Sequence, residues 1–361
     1  MSTASAVPET FHLEGDNAKE TLRSVGWVHL GKDSFVRFRT ADGFSHTRAL
    51  AHAAMLSGFP ALITVIGAAT IFHFTTLKQV LEQTLKHLAP GPSGRLLTTA
   101  FHQGSQAGGR AALIGGAIGA LLSGTFALAQ VERGCNRVYG MVRDRKVWAK
   151  LGRAALLAIS AGLLFGLAFM LLAAGAALGD ALTEGVGWGD TASTVFDFVR
   201  WPVGLLLSLG ALTIIYKFSP NRRQPAASWL QTGTILATVL WFVFTGLLAV
   251  YYAFNDRLGS TYGPLLGVIA LLTWAYATAL AIYLGIAFAA QLEALRAGVP
   301  GPRTLRRYNE TVRDPQETSE NARVESGQQV GSRRPAADAR PFESGTADRV
   351  VESSRAGRHE S

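Results

Sequence analysis

From Leu258 to Leu292 the chain runs 35 residues without an Asp, Glu, Lys or Arg. It is the longest of six such stretches, the others being Ala49 to Leu77, Ala111 to Val131, Ala154 to Gly179, Trp201 to Tyr216 and Gln224 to Asn255. About 20 apolar residues in a helix cross the roughly 30 Å hydrocarbon core of a bilayer, and only helices or closed barrels satisfy their backbone there. The fold class this predicts is all-α: a polytopic membrane protein with a six-transmembrane-helix bundle. Charged residues make up 16% of the chain and are nearly absent from these windows, which sets it apart from a soluble protein of the same 361 residues.

The expected spans cover about 49–74, 111–131, 154–179, 201–218, 228–254 and 265–290. The first follows 48 residues that include Arg23, Lys32, Arg37, Arg39 and Arg48, whereas a secretory signal starts with a short basic region and a shorter apolar core, so it reads as a retained span. Lys and Arg alternate along the connections: 6 before the first span, 4 in the loop 78–110, 7 in 132–153, 1 in 180–200, 3 in 217–223, 1 in 256–264 and 12 in the C-terminal segment. The positive-inside tendency then places both termini and the second and fourth loops in the cytoplasm. The net charge of +9 follows from these basic margins and requires no nucleic-acid partner.

Residues 1–48 form a cytoplasmic N-terminal segment. Between 18 and 39 it mixes Leu22, Val25, Trp27, Phe35 and Phe38 with five basic residues, as a helix lying along the inner headgroups would, or as a soluble lead-in would. After the first span, Leu77 to Leu88 recur at helical spacing up to the Pro90-Gly91-Pro92 break. Small residues four apart (Ala112, Gly116 and Ala120; Gly115 and Gly119; Gly162 and Gly166; Gly175 and Gly179) read as helix-packing seams. The fourth span is expected to be short, with Trp201 and Pro202 in its first turn and Tyr216 with Lys217 at its other end. Asp180, Glu184, Asp190 and Asp197 make the third loop acidic, read as a solvated outer loop. Residues 297–361 are rich in Arg, Glu, Ser, Gly and Pro without periodicity, the composition of a disordered tail.

Chemistry-bearing patterns are sparse. Cys135 is the one cysteine, no HExxH or paired-Cys metal pattern occurs, and the eight histidines are scattered, so the sequence asks for no cofactor and no metal. Gly259-Ser260-Thr261-Tyr262-Gly263 lacks the Val-Gly step of a potassium filter and reads as a turn. The densest polar cluster is Gln130, Glu132, Arg133, Asn136, Arg137 and Tyr139 at the inner end of the second span. A continuing helix would set Glu132 and Asn136 on a hydrogen-bonding stripe beside a basic stripe of Arg133 and Arg137. Such guanidinium groups can hold phosphate or carboxylate headgroups, and they equally suit a positive flank held by local salt bridges. Asn255 and Tyr262 form a second candidate polar site at the outer face.

Several of these residues also carry a resemblance. Ser57-Gly58-Phe59-Pro60, Asn136-Arg137-Val138-Tyr139-Gly140, Arg200-Trp201-Pro202, Pro220-Asn221, Thr261-Tyr262-Gly263 and Trp274-Ala275-Tyr276 with Gly285 occur in the order seen in the YihY/BrkB family, over roughly residues 20–295. The resemblance implies a bacterial inner-membrane protein of about six spans, some members of which are linked by name to virulence or serum resistance. Members have also been labelled a tRNA-processing ribonuclease, for which this sequence offers no metal-ligand cluster and no aromatic-basic RNA surface. Where members carry a Glu and an Asn shortly after the last-span glycine, this chain has Ala287 and Ala289.

Two functions follow as expectations. One is a non-enzymatic membrane protein that moves or handles an amphiphilic or anionic envelope substrate. The other is a structural or assembly protein that recruits partners or anionic lipid through its basic loop and tail. In both, the bilayer is the partner the sequence points to.

Overall fold

The computed structural model describes residues 5–71, 109–141, 143–173, 190–254 and 264–299. Every regular element among them is helical: α1 (Gly15–Val25), α2 (Trp27–Thr40), α3 (Gly43–Ile71), α4 (Gly109–Val138), α5 (Val147–Ala173), α6 (Asp190–Phe218), α7 (Ala227–Ala253) and α8 (Pro264–Arg296). The six from α3 to α8 are long and apolar enough to cross a membrane, with candidate spans of 25 to 30 residues. At 1.5 Å per residue such helices measure about 38–45 Å and outrun the hydrocarbon core.

Successive helices run in opposite directions. The ends of α4, α6 and α8 therefore meet the starts of α3, α5 and α7 at one end of the bundle, called the base below, where α1 packs on α7 and α2 on α8. Helix α8 is the hub and touches α7, α3, α2, α4 and α1. From Gly285 to Ala294 all ten residues are buried, the pattern of a helix surrounded on every side. Helix α7 crosses it where Gly233 faces Gly285: a Cβ on either would stand 2.5 Å from the carbonyl oxygen of the other. Ala289 packs against the same crossing, since a Cβ on Gly233 would lie 2.9 Å from its methyl group. The small residue at 289 lets α7 approach. Further along the pair, the Trp241 and Trp274 indoles donate to Thr278 Oγ1 at 3.1 Å and Thr245 Oγ1 at 3.2 Å.

The glycine seams divide. In α4, a Cβ on Gly116 would meet the Thr64 backbone nitrogen at 2.7 Å and one on Gly119 the Pro60 ring at 3.1 Å, so these two do seat α4 against α3. Gly115, Gly162 and Gly166 face open space, so the expected seam on α5 is not a contact between the described helices. Gly175 and Gly179 lie outside the described residues.

The fourth span departs from expectation. Helix α6 has 29 residues rather than a start at Trp201, and Pro202 lies inside it. Arg200 ends an apolar run but not a helix: its guanidinium pairs with Asp197 one turn earlier at 3.4 Å and lies 5.8 Å from the centre of the Trp201 ring. Likewise α4 continues seven residues past Val131, and α8 runs to Arg296.

The N-terminal segment holds two helices joined at Gly26, whose φ of +83° turns the chain sharply. Their inner faces pack on the bundle through Leu22, Leu30 and Phe38, while Trp27, Val28 and Phe35 are exposed. Phe38 fixes the turn into α3, because a Cβ on Gly43 would fall 2.3 Å from its ring. The expected helix after the first span, the turn at 259–263 and the tail 300–361 lie outside the described residues.

Candidate functional site at the base of the bundle

The Asn136-Arg137-Val138-Tyr139-Gly140 motif is a helix terminus with a purpose. Gly140 has φ +74°, its N–H donates to Arg137 O at 3.0 Å, and the Met141 N–H donates to Asn136 O at 2.8 Å, which closes α4 in a Schellman turn. A Cβ on Gly140 would collide with Ala6 at 2.7 Å, so the glycine also admits the N-terminal strand of chain, residues 5–13. Asn136 is fully buried. Its Oδ1 accepts from the Asn221 N–H at 2.8 Å and its Nδ2 donates to Asp144 at 2.9 Å, which ties the loop after α6 to the loop after α4.

Two buried carboxylates anchor this layer. Glu132 pairs with Arg145 at 2.9 Å, and Arg145 also donates to the carbonyls of Ser219 (2.7 Å) and Pro220 (2.6 Å). Glu293 pairs with Arg222 at 2.6 Å and accepts from the Thr10 hydroxyl. The Arg222 guanidinium sits 4.5 Å from the centre of the Tyr139 ring, a desolvated cation–π contact, and donates to Pro8 O at 2.8 Å. Arg222 Nε and Nη1, Glu293 Oε2 and Gln291 Nε2 are buried without a hydrogen-bond partner among the described residues. The Gln224 amide stands close to the Tyr139 hydroxyl but outside hydrogen-bond geometry.

A third buried cation, Arg37 of α2, donates to Gln291 Oε1 (2.7 Å), Ser5 O (3.0 Å), Ser5 Oγ (3.1 Å) and Val138 O (3.2 Å). Burial lowers its pKa to about 10, against the opposing pull of Tyr139 and Glu293, so it stays charged near neutrality. Burial, with Glu293 adding to it, pushes the Tyr139 hydroxyl well up. Burial alone would raise Asp144, but the Asn136 hydrogen bond and the charges of Lys150 and Arg137 outweigh it and hold the carboxyl below its usual range.

Beside these pairs lies an open cleft of about 730 Å³, lined by Glu9, Phe11, Arg145, Arg153, Lys217, Phe218, Asn221, Arg222, Arg223 and Gln224. Five cations face one carboxylate. Arg145 and Arg222 are neutralised by Glu132 and Glu293. Arg153 and Lys217 donate instead to backbone carbonyls, Phe218 O at 2.8 Å and Pro225 O at 2.6 Å. The cleft can therefore hold an anion.

Of the residues singled out in the sequence, Glu132, Asn136 and Tyr139 converge in the buried layer. Arg133 points outward and reaches Asp144 at 3.8 Å, while Arg137 donates to Met141 O at 2.6 Å. The two arginines do not form the cleft. Asn255 and Tyr262 lie outside the described residues. Sequence reasoning missed Arg37, Arg145, Arg222, Gln291 and Glu293, and one signal was available: Arg222 directly follows Pro220-Asn221, a motif that the fold brings against Asn136.

The family described as virulence factor BrkB matches residues 34–307, from α2 to the end of α8 and beyond. YfkH of Bacillus subtilis (strain 168), named as a ribonuclease-like protein, is 26% identical over 256 residues, covering 70% of this chain and 91% of YfkH. A UPF0761 membrane protein of Idiomarina loihiensis is 25% identical over 115 residues, 32% of this chain and 40% of that protein. No solved structure matches the chain.

Proposed function

The chain is a membrane protein of the virulence factor BrkB family, and from that premise we propose that it handles an anionic amphiphile at the cytoplasmic face of a bacterial inner membrane, without catalysing a reaction on it. The observation that carries this reading is the charge of the cleft: among the described residues five cations line it and Glu9 is its one lining carboxylate, while Glu132 and Glu293 nearby are paired with Arg145 and Arg222. An apolar tail on such a ligand would find Phe11 and Phe218 at the cleft and the exposed Trp27, Val28 and Trp148 on the same base.

The concentration of Lys and Arg at the base supports a cytoplasmic orientation, with both chain termini on that side. Exposed Trp27 and Trp148 suit the headgroup level of the inner leaflet, where anionic lipid adds about 1 kcal/mol per nearby basic residue. The ribonuclease-like name belongs to YfkH; guanidinium and ammonium groups around one carboxylate favour holding an anion over activating water against it.

Reconstitution into liposomes tests the reading. Wild type should move at least one labelled anionic lipid or metabolite of a panel, and the pair Arg153→Gln with Lys217→Gln should lose most of that rate. If wild type moves nothing, the rival role stands: a structural protein that recruits partners or anionic lipid through the same basic surface.

A further inference from the structure

Residues 5–13 cross the base as a strap. Arg37 holds Ser5 by its carbonyl and hydroxyl, the Val7 N–H donates to Tyr139 O at 3.1 Å, Thr10 bonds Glu293, and Leu13 O accepts from the Ala226 N–H at 3.1 Å. Between these ties the strap lays two acceptors on the cleft. Pro8 O takes Arg222 Nη2 at 2.8 Å, and Glu9 Oε1 takes the Arg223 backbone N–H at 3.0 Å. Both Pro8 and Glu9 are exposed, although Val7, Thr10 and Leu13 beside them are buried. The strap also lies outside the region that the family matches, residues 34–307.

We propose that the cleft is a binding site for a phosphate monoester and that Glu9 is its resting occupant, displaced when the ligand enters. The proposal rests on the anion-handling reading above and names its ligand. Three features select a phosphate monoester over a carboxylate. Without Glu9, five cations line the cleft among the described residues against Glu132 and Glu293, which are already paired with Arg145 and Arg222; the excess suits a charge of about −1.5 to −2 at pH 7 better than −1. Displacing Glu9 frees the Arg223 N–H, a backbone donor beside the Arg222 guanidinium, whose Nη2 stays on Pro8 O and Glu293. This donor and the rim cations approach from several directions, as three tetrahedral oxygens require and two coplanar ones do not. Finally, Arg222 Nε and Nη1 are buried and unpartnered at the cleft wall, held ready by the Tyr139 ring and Glu293. An exposed carboxylate on one backbone amide is a weak occupant by comparison.

Calorimetric titration of the full-length protein in phosphatidylcholine nanodiscs tests this, with short-chain phosphatidic acid, short-chain phosphatidylglycerol, inorganic phosphate and a short-chain alkyl carboxylate as probes. Phosphatidic acid should bind about tenfold tighter than the diester or the carboxylate. Glu9→Gln, on an exposed side chain, should tighten it by about three- to tenfold. Arg153→Gln with Lys217→Gln should weaken it by about tenfold or more. Binding of inorganic phosphate at similar strength identifies a free phosphate compound as the ligand; binding of phosphatidic acid alone identifies a lipid headgroup. Either result supports the site. Carboxylate binding as tight as phosphatidic acid, or an affinity unmoved by Glu9→Gln, overturns the proposal and leaves the broader anion-handling reading intact. Failure of every anion to bind overturns both.

Discussion

Arg222 and Glu293, 71 residues apart in sequence, stand 2.6 Å apart with side chains at most 3% exposed. A buried ion pair contributes little over an apolar pair, but removing one partner strands the other charge, at a cost of about 3–5 kcal/mol. Arg222→Ala should therefore destabilise the protein by about that much, and Arg222→Met combined with Glu293→Leu should recover most of it. Thermal unfolding of the purified variants in detergent, followed by circular dichroism, measures both.

This pair also shows where sequence reasoning reached its limit. The six spans were legible because an apolar run needs no partner to declare itself. Glu293 ends the 35-residue uncharged run and so looks like a boundary, while its burial depends on Arg222 arriving from the α6–α7 loop and Thr10 from the strap. Arg200 misled in the same way, since a charge ends a hydropathy window but not a helix that pairs it with Asp197. Glu132, Asn136 and Tyr139 were legible as a cluster because one helix end sets their spacing. The cleft was not, since its walls come from the strap, the start of α5 and the α6–α7 loop, which meet only in three dimensions.

Tyr139 separates packing from hydrogen bonding. Its hydroxyl lacks a bond of full geometry, so Tyr139→Phe should change stability by less than about 0.5 kcal/mol. Tyr139→Ala removes a fully buried ring and the platform under Arg222 and should cost about 3–5 kcal/mol. The comparison of unfolding midpoints checks the difference.

At the crossing of α7 and α8 a methyl group has no room. Gly285→Ala should cost about 1–3 kcal/mol, because its Cβ would meet Gly233 O at 2.5 Å. Gly162→Ala faces open space and should be neutral or stabilising by up to about 1 kcal/mol, the ordinary helix preference. Denaturation of the two variants in parallel distinguishes a contact effect from a general intolerance of substitution.

Asp144 predicts a pH dependence. Its carboxyl is held below the usual carboxylate range, so the stability it contributes is present above that range and is lost as pH falls through its lower folded-state pKa. Asp144→Asn should thus be less stable than wild type at pH 6, and the gap should close progressively below about pH 4. A gap that stays constant down to pH 3 would contradict this.

Everything proposed for the cleft depends on the base facing the cytoplasm. Single cysteines at Lys146, exposed in the loop before α5, and at Phe254, exposed at the opposite end of α7, test it with a membrane-impermeant maleimide; native Cys135 is fully buried and leaves the label to the introduced thiols. In intact spheroplasts the label should reach Phe254→Cys and leave Lys146→Cys unmodified, and in inverted vesicles the pattern should reverse. Labelling of Lys146→Cys from outside intact spheroplasts would place the cleft on the wrong side of the membrane and contradict the account.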